Sequence, residues 1–318
     1  MAFQELPQLR GDRLFITDAG IETVLIFEHG IDLPCFASFP LLADEQNTEV
    51  MRAYFDDFFE IARERGVGML LDTVTWRASR DWGAELGYSP EDLEAVNRRA
   101  VAFAQELRAE HDDALIPILI SGCVGPRGDA YSPNSVMSPE EAESYHSAQI
   151  ATLADAGVDF ICALTLTNAA EGIGIVRAAQ AAGVPSVISY TVETDGRLPS
   201  GEGLRDAIEE TDAASGSAAA YFMVNCAHPS HFADALDDDG PWLERIRGLR
   251  ANASRKSHAE LDESDGLDRG DPGELAAAYG EVIERLPKLT VIGGCCGTDR
   301  RHVGAAAAVC AEAFAGRG

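Results

Sequence analysis

Phe160-Ile161-Cys162-Ala163-Leu164, then Asn168-Ala169-Ala170-Glu171, then the apolar run 184–190, form one unit. The first run is too short for a helix and rich enough in apolar residues for a buried strand. Asn168 with an acid three residues on is a helix start, because an Asn side chain caps free N–H groups and acid suits the positive end of the dipole. Residues 184–190 are a second strand. Two strands joined by a helix run parallel, since only a crossover brings the chain back in the same direction.

The same alternation extends both ways. Towards the N-terminus, strands are expected at residues 115–120, 68–72 and 14–17. Ser89-Pro90-Glu91-Asp92 and Ser138-Pro139-Glu140-Glu141 repeat the helix start, with Ser as cap and Pro in the first turn. After Asn47, the residues Val50, Met51, Tyr54, Phe55, Phe58, Phe59 and Ala62 make one apolar helical stripe. Towards the C-terminus, strands are expected at 221–224 and 289–292, with a closing helix over 301–315. The seventh strand, 246–251, is poorly apolar, and residues 252–272 are a long polar segment. That segment reads as a loop over a site or as a solvated insertion.

Eight strands alternating with helices predict an α/β fold, a single (β/α)₈ TIM barrel spanning residues 1–318 with an insertion near 252–272. A doubly wound sheet is the alternative that pattern alone permits.

The chain has 318 residues, 46% of them hydrophobic, enough for one large core. Residues 1–10 lack a basic region followed by an apolar core, so no signal peptide is expected. No run approaches the roughly 20 apolar residues of a membrane span. A soluble, cytoplasmic protein without membrane partners is expected. The formal net charge of −28 repels phosphates, which argues against nucleic-acid binding. Only Lys256 and Lys288 are lysines. Acidity carried with arginine in place of lysine suggests adaptation to high salt, where screening relieves self-repulsion. The plainer alternative is an ordinary acidic enzyme.

Seven cysteines without an export signal point to metal or catalytic use rather than disulfides. Cys295-Cys296, between Gly293-Gly294 and Gly297, stand at an expected strand end, and Cys226 stands at another. Glycines let the backbone bend so that both sulfurs face one point. Three thiolates with an open fourth position are the pattern of a catalytic zinc. Taken singly, Cys35, Cys123, Cys162 and Cys310 read as small buried hydrophobes. His228 and His231 lie near Cys226 and read as surface or capping residues, or as groups behind the metal ligands. Residues 122–128 are glycine-rich but lack the lysine of a phosphate loop, so they read as a turn.

At these motifs the sequence resembles the homocysteine S-methyltransferase family, over about residues 12–315. Asp18-Ala19-Gly20-Ile21-Glu22-Thr23 is similar to the family's first-strand motif, Asp72-Thr73-Val74-Thr75 to its second, Ser121 to Pro126 to its third, and Ser189-Tyr190-Thr191-Val192 to its fifth. Asn225-Cys226 and Gly293-Gly294-Cys295-Cys296-Gly297-Thr298 resemble its two zinc motifs. The resemblance implies a barrel holding Zn²⁺ on Cys226, Cys295 and Cys296, with the substrate thiol as fourth ligand. It also implies substrate contacts from Asp18, Glu22 and Thr75, and an orienting role for Asn225. One departure stands out. After the fourth strand the family usually reads Glu-Thr-x-Pro, and its Glu meets the substrate's amino group; here the stretch is Ala163-Leu164-Thr165-Leu166-Thr167, with Leu164 at the Glu position.

The expected activity is transfer of a methyl group from a small onium donor, S-methylmethionine- or betaine-like, to the thiol of homocysteine or a related acceptor, giving methionine or a thioether. Asp18 or Glu22 would replace the missing carboxylate. The alternatives are a thiol acceptor other than homocysteine, and a zinc- or thiol-binding barrel that has lost turnover.

Overall fold

A computed structural model describes residues 6–112, 115–130, 136–264 and 266–316. The first half alternates β1 (Phe15–Ile16), α1 (Ile21–Phe27), α2 (Glu45–Arg65), β2 (Gly68–Asp72), α3 (Arg80–Glu85), α4 (Pro90–Glu110), β3 (Ile118–Val124), α5 (Pro139–Ala156) and β4 (Phe160–Leu166). The second continues with α6 (Ala169–Ala182), β5 (Ser186–Tyr190), α7 (Leu204–Ser215), β6 (Ala219–Asn225), β7 (Ile246–Ala251), α8 (His258–Asp262), α9 (Pro272–Arg285), β8 (Val291–Gly294) and α10 (Arg300–Ala315). The strands form a closed barrel in chain order. Phe15 of β1 pairs with Gly68 of β2 and with Val291 of β8, and every pairing is parallel. This is a (β/α)₈ barrel, and the doubly wound alternative is excluded by the closing β1–β8 pair.

The period of two along each strand sorts the apolar side chains into two cores. Ile16, Met69, Leu71, Ile120, Ile161, Ile188, Phe222 and Ile292 join the helices in the outer core. Their alternates Phe15, Leu70, Leu119, Phe160, Val187, Tyr221 and Val291 cluster separately inside the barrel, with Leu6 packed among them. Cys123 and Cys162 belong to this inner layer and Cys310 to the outer one, as small buried hydrophobes. Cys35 does not fit that reading: it is half-buried in a tight turn at φ 56°.

The helix starts form as their sequences require. Ser89 with Asp92 and Ser138 with Glu141 make reciprocal capping boxes, and Asn168 accepts from the backbone N–H of Glu171. Each such cap is worth about 1 kcal/mol. α2 begins at Glu45, two residues before Asn47, because the Asp44 carboxylate accepts from the Asn47 N–H at 2.8 Å.

Two strands lie further along the chain than apolarity suggests. Leu115 is exposed, and β3 starts only after Pro117, then runs through Ser121, Gly122 and Cys123. β8 likewise begins two residues late and includes Gly293 and Gly294, which pair with Arg250 and Ala251. Pairing in a parallel sheet uses the backbone alone, so glycines serve there as well as valines. Among the described residues, no helix is long and apolar enough to cross a membrane.

Candidate functional site

The C-terminal ends of the strands surround a cavity of about 380 Å³, the face on which barrel enzymes place their chemistry. Cys226 follows β6, and Cys295 and Cys296 follow β8. The sulfurs of Cys295 and Cys226 are 3.0 Å apart, those of Cys226 and Cys296 are 3.6 Å apart, and none is in a disulfide. All three lie within 4.8 Å of one another. Sulfurs bonded at about 2.3 Å to one tetrahedral zinc would be roughly 3.8 Å apart, so the cluster needs little adjustment to hold such an ion.

The flanking glycines divide the labour. Gly297 takes φ 78° and turns the chain after the pair. Gly294 stays extended; a Cβ there would strike the Thr298 side chain and press on Ala19. Behind the pair, the Cys295 carbonyl accepts from the Thr298 hydroxyl at 2.6 Å, and the Cys296 carbonyl from the Ala253 N–H at 3.2 Å.

Asn225 is locked by four bonds. Its Oδ1 accepts from the Thr165 N–H at 2.8 Å and the Ser189 hydroxyl at 2.7 Å. Its Nδ2 donates to the Thr165 hydroxyl at 2.8 Å and to Cys295 Sγ at 3.7 Å. Hydrogen bonds from Cys226 and Cys296 hold the Cys295 thiol well below the usual thiol range, against its burial and with help from the Arg250 charge and Asn225. Cys226, whose sulfur lies 3.0 Å from that of Cys295, is pushed up in turn by its two thiol neighbours and by burial. A metal takes thiolates, so a thiol held low within the cluster favours its binding.

On the pocket floor Arg250, the penultimate residue of β7, is buried between two carboxylates. Its Nη2 lies 2.5 Å from Asp18 Oδ1, its Nη1 pairs with Asp72 Oδ2, and its Nε donates to the Gly294 carbonyl at 3.2 Å. Asp18 also accepts from the Tyr54 hydroxyl at 3.0 Å. Burial raises the Asp18 carboxyl to about 7, although Arg250 pulls it down. Asp18 lines the pocket, engaged on two sides. Glu22, in the first turn of α1, lines the wall and accepts from the Ser38 hydroxyl at 3.0 Å. Burial lifts its carboxyl to about 7 against the pull of the helix backbone and Ser38.

Thr75 does not join them. It is fully buried, its hydroxyl donating to the Cys123 carbonyl at 2.6 Å and contacting Thr73 at 2.7 Å, and its neighbours Thr73, Val74 and Trp76 line the cavity instead. Leu164 does line the cavity, just before a bulge at Thr165, whose φ is 65°. Its carbonyl accepts from the Trp76 indole at 3.2 Å.

Of the segment 252–272, the described residues Ser254, Leu261, Ser264, Gly266, Leu267 and Asp268 line the mouth of the pocket. Asn252, Ala253, Ser254 and His258 are buried in this segment, so its polar character conceals firm attachment. His228 and His231 are not surface residues. His228 is buried and caps a short turn by accepting from the Ser230 N–H, and His231 Nε2 meets the Arg255 carbonyl at 2.9 Å. Neither bonds to a cysteine of the cluster in any described contact.

Sequence reasoning missed Arg250 as a floor residue and His258 as an anchor. A signal for the first was present: Arg250 stands at the catalytic-face end of a strand expected at 246–251, one of the two arginines, with Arg247, that made that run read as poorly apolar.

The model of the family described as homocysteine S-methyltransferase matches residues 15–310. A selenocysteine methyltransferase of Astragalus bisulcatus is 27% identical over 201 residues, which are 54% of this chain and 58% of that protein. The chain thus matches little more than half the length of that curated relative. The oxidised form of the homocysteine methyltransferase MmuM of Escherichia coli superposes with a TM-score of 0.75 at 20% identity, covering 95% of this chain and 99% of that one. Its metallated form gives 0.71 at 18% identity, covering 93% and 96%. At such identity these two likenesses speak for the shared fold.

Proposed function

The chain belongs to the homocysteine S-methyltransferase family, and on that premise we propose that it transfers a methyl group from a small onium donor to the thiol of homocysteine or a related acceptor. The observation that carries this reading is the convergence of the Cys226, Cys295 and Cys296 sulfurs on one pocket at the strand ends. Those three residues would hold Zn²⁺. A zinc ion in that position lowers the pKa of an acceptor thiol, whose ordinary value near 8.5 leaves it mostly protonated at neutral pH, yet leaves the sulfur nucleophilic.

The chain's own residues do the rest. Asn225 fixes Cys295 through its amide. Glu22, on the pocket wall, would receive the acceptor's ammonium group, since Asp18 is held by Arg250 and Tyr54. Trp76, Phe36 and Phe55 on the wall, with the acids Asp129 and Asp268, suit a cationic donor through ring faces and negative potential. The acceptor thiol gives up its proton to solvent, its sulfur bonds to the methyl carbon, the bond to the onium atom breaks, and its electron pair leaves with the donor, now one positive charge poorer. Seven cysteines outside any disulfide suit a reducing, cytoplasmic compartment.

A second reading is a zinc- or thiol-binding barrel without turnover. Leu164 on the pocket wall favours it, because leucine cannot pair an ammonium group. A methyl-transfer assay over a panel of thiols with S-methylmethionine and betaine, with and without chelator, decides between them. Product that disappears on chelation supports the enzyme; zinc-loaded protein that turns over no pair supports the binding barrel.

A further inference from the structure

Cys226 leaves β6 at φ 58°, a left-handed conformation that crowds a residue bearing a Cβ. Its surroundings determine it. Its N–H donates to the Arg250 carbonyl at 3.1 Å. Its own carbonyl accepts from His258 Nε2 at 2.7 Å, from Asn252 Nδ2 at 2.9 Å and from the Thr191 hydroxyl at 3.4 Å. Asn252 and Thr191 adjoin strand ends. His258 belongs to the segment that covers the pocket.

His258 is 3% exposed, while Arg255, Lys256, Ala259 and Glu260 around it face water. Its Nδ1 lies 2.9 Å from Glu193 Oε1, in the loop after β5, so the ring is gripped on both sides. It is the first residue of α8, whose start Ser257 caps with Glu260. From there the chain passes Leu261 and Leu267 along the pocket and comes back to the cluster, where Gly297 leaves room for the Asp268 carbonyl that any Cβ would meet at 2.7 Å.

We propose that His258 is a positioning residue: it clamps the carbonyl of Cys226 and so ties the strap over the pocket to a cysteine of the metal cluster. The inference rests on the zinc reading above. With the clamp in place, the Cys226 peptide is held in the strained conformation that aims its sulfur at Cys295 and Cys296. By reciprocity, a metal that fixes the sulfur also favours the seated strap. Groups that orient ligands from behind typically change metal affinity by roughly ten- to a hundredfold when removed.

The test compares zinc-loaded wild type with His258→Ala, His258→Gln and Ser257→Ala. The first readout is the rate at which zinc passes to a chromogenic chelator. The second is tryptic cleavage within the strap, which offers Arg255, Lys256 and Arg269, with and without zinc. His258→Ala should release zinc roughly ten- to a hundredfold faster. His258→Gln, whose amide can donate to the same carbonyl, should fall nearer wild type. Ser257→Ala, which loosens the α8 cap alone, should release zinc within about twofold of wild type. Zinc should slow strap cleavage in wild type and lose that effect in His258→Ala. Equal release from wild type and His258→Ala, or equal acceleration by Ser257→Ala, overturns the proposal. A wild type that retains no zinc overturns the metal reading instead; the clamp is then decided in the metal-free arm. There His258→Ala must still be cut faster than His258→Gln, and equal cutting overturns the clamp as well.

Discussion

Arg250 Nη2 stands 2.5 Å from Asp18 Oδ1 on the pocket floor, and the same guanidinium pairs with Asp72. One buried cation thus joins the ends of β1, β2 and β7, and through Gly294 the end of β8. It sits beneath the cysteine pair and across the seam where the two-residue β1 closes the barrel. Its first consequence is for stability, its second for substrate recognition.

Arg250→Met should destabilise the protein by about 3–5 kcal/mol, because it leaves two buried carboxylates without their partner. The loss should shrink in acid. Asp18 already titrates at about 7, above its ordinary 3.8, for reasons of burial. Removing the guanidinium raises it further. A carboxyl raised on folding contributes stability when protonated and loses it as pH rises through the folded value. Urea unfolding of the metal-free proteins at pH 8 and pH 5.5 measures both effects. An equal loss at the two pH values would show that the carboxylates are not its source.

Purified protein should carry about one zinc per chain, removable by strong chelators. Cys295→Ala should lower the metal content sharply, since it takes away the sulfur nearest Cys226 and the one Asn225 supports. Cys310→Ala, in the outer core, should leave it unchanged. Elemental analysis after gentle purification gives the numbers, and a metal-free wild type indifferent to chelators contradicts the zinc assignment.

How much of this was legible in the sequence follows from the range of each interaction. Ser138 with Glu141 and Asn168 with Glu171 act over three residues, so their helix starts are written locally. The cysteine trio was legible for another reason: a Cys-Cys pair among glycines has little packing use at a strand end. Arg250 and Asp18 are 232 positions apart, and nothing local in either names the other. Thr75 lies off the cavity lining, because motif position alone does not fix which way a side chain past a strand end points. The polar segment hid His258, since composition reports average solvation and not which polar side chains turn inward.

Raising salt should stabilise the protein. With a net charge of −28 and two lysines, carboxylate repulsion dominates the surface, and at 1 M salt the screening length falls to about 3 Å. Exposed pairs such as Arg98 with Glu94 weaken too, but pairs of that kind are worth only a few tenths of a kcal/mol. The thermal midpoint should therefore climb from dilute buffer to molar chloride. A flat or falling midpoint argues for the ordinary acidic enzyme.

The last prediction concerns Glu22 and Leu164. Both line the pocket, but only Glu22 can meet an ammonium group, and Asp18 is committed to Arg250 and Tyr54. A charge-assisted hydrogen bond of this kind is worth roughly 1.5–3 kcal/mol, about ten- to a hundredfold in binding. Wild type should therefore prefer homocysteine over its deaminated analogue in kcat/KM. The preference should depend on pH, because burial places the Glu22 carboxyl at about 7. Below that value it is neutral and reads the ammonium weakly; above it the carboxylate forms. The preference should thus rise between pH 6 and 8, where the ionised fraction climbs from about a tenth to about nine-tenths. Glu22→Gln should lose most of the preference and flatten its pH profile. Leu164→Glu should strengthen it if the new carboxylate reaches the same group. The same ratio in all three proteins at every pH would mean that neither position reads the amino group, and that the acceptor is recognised by its thiol and carbon chain alone.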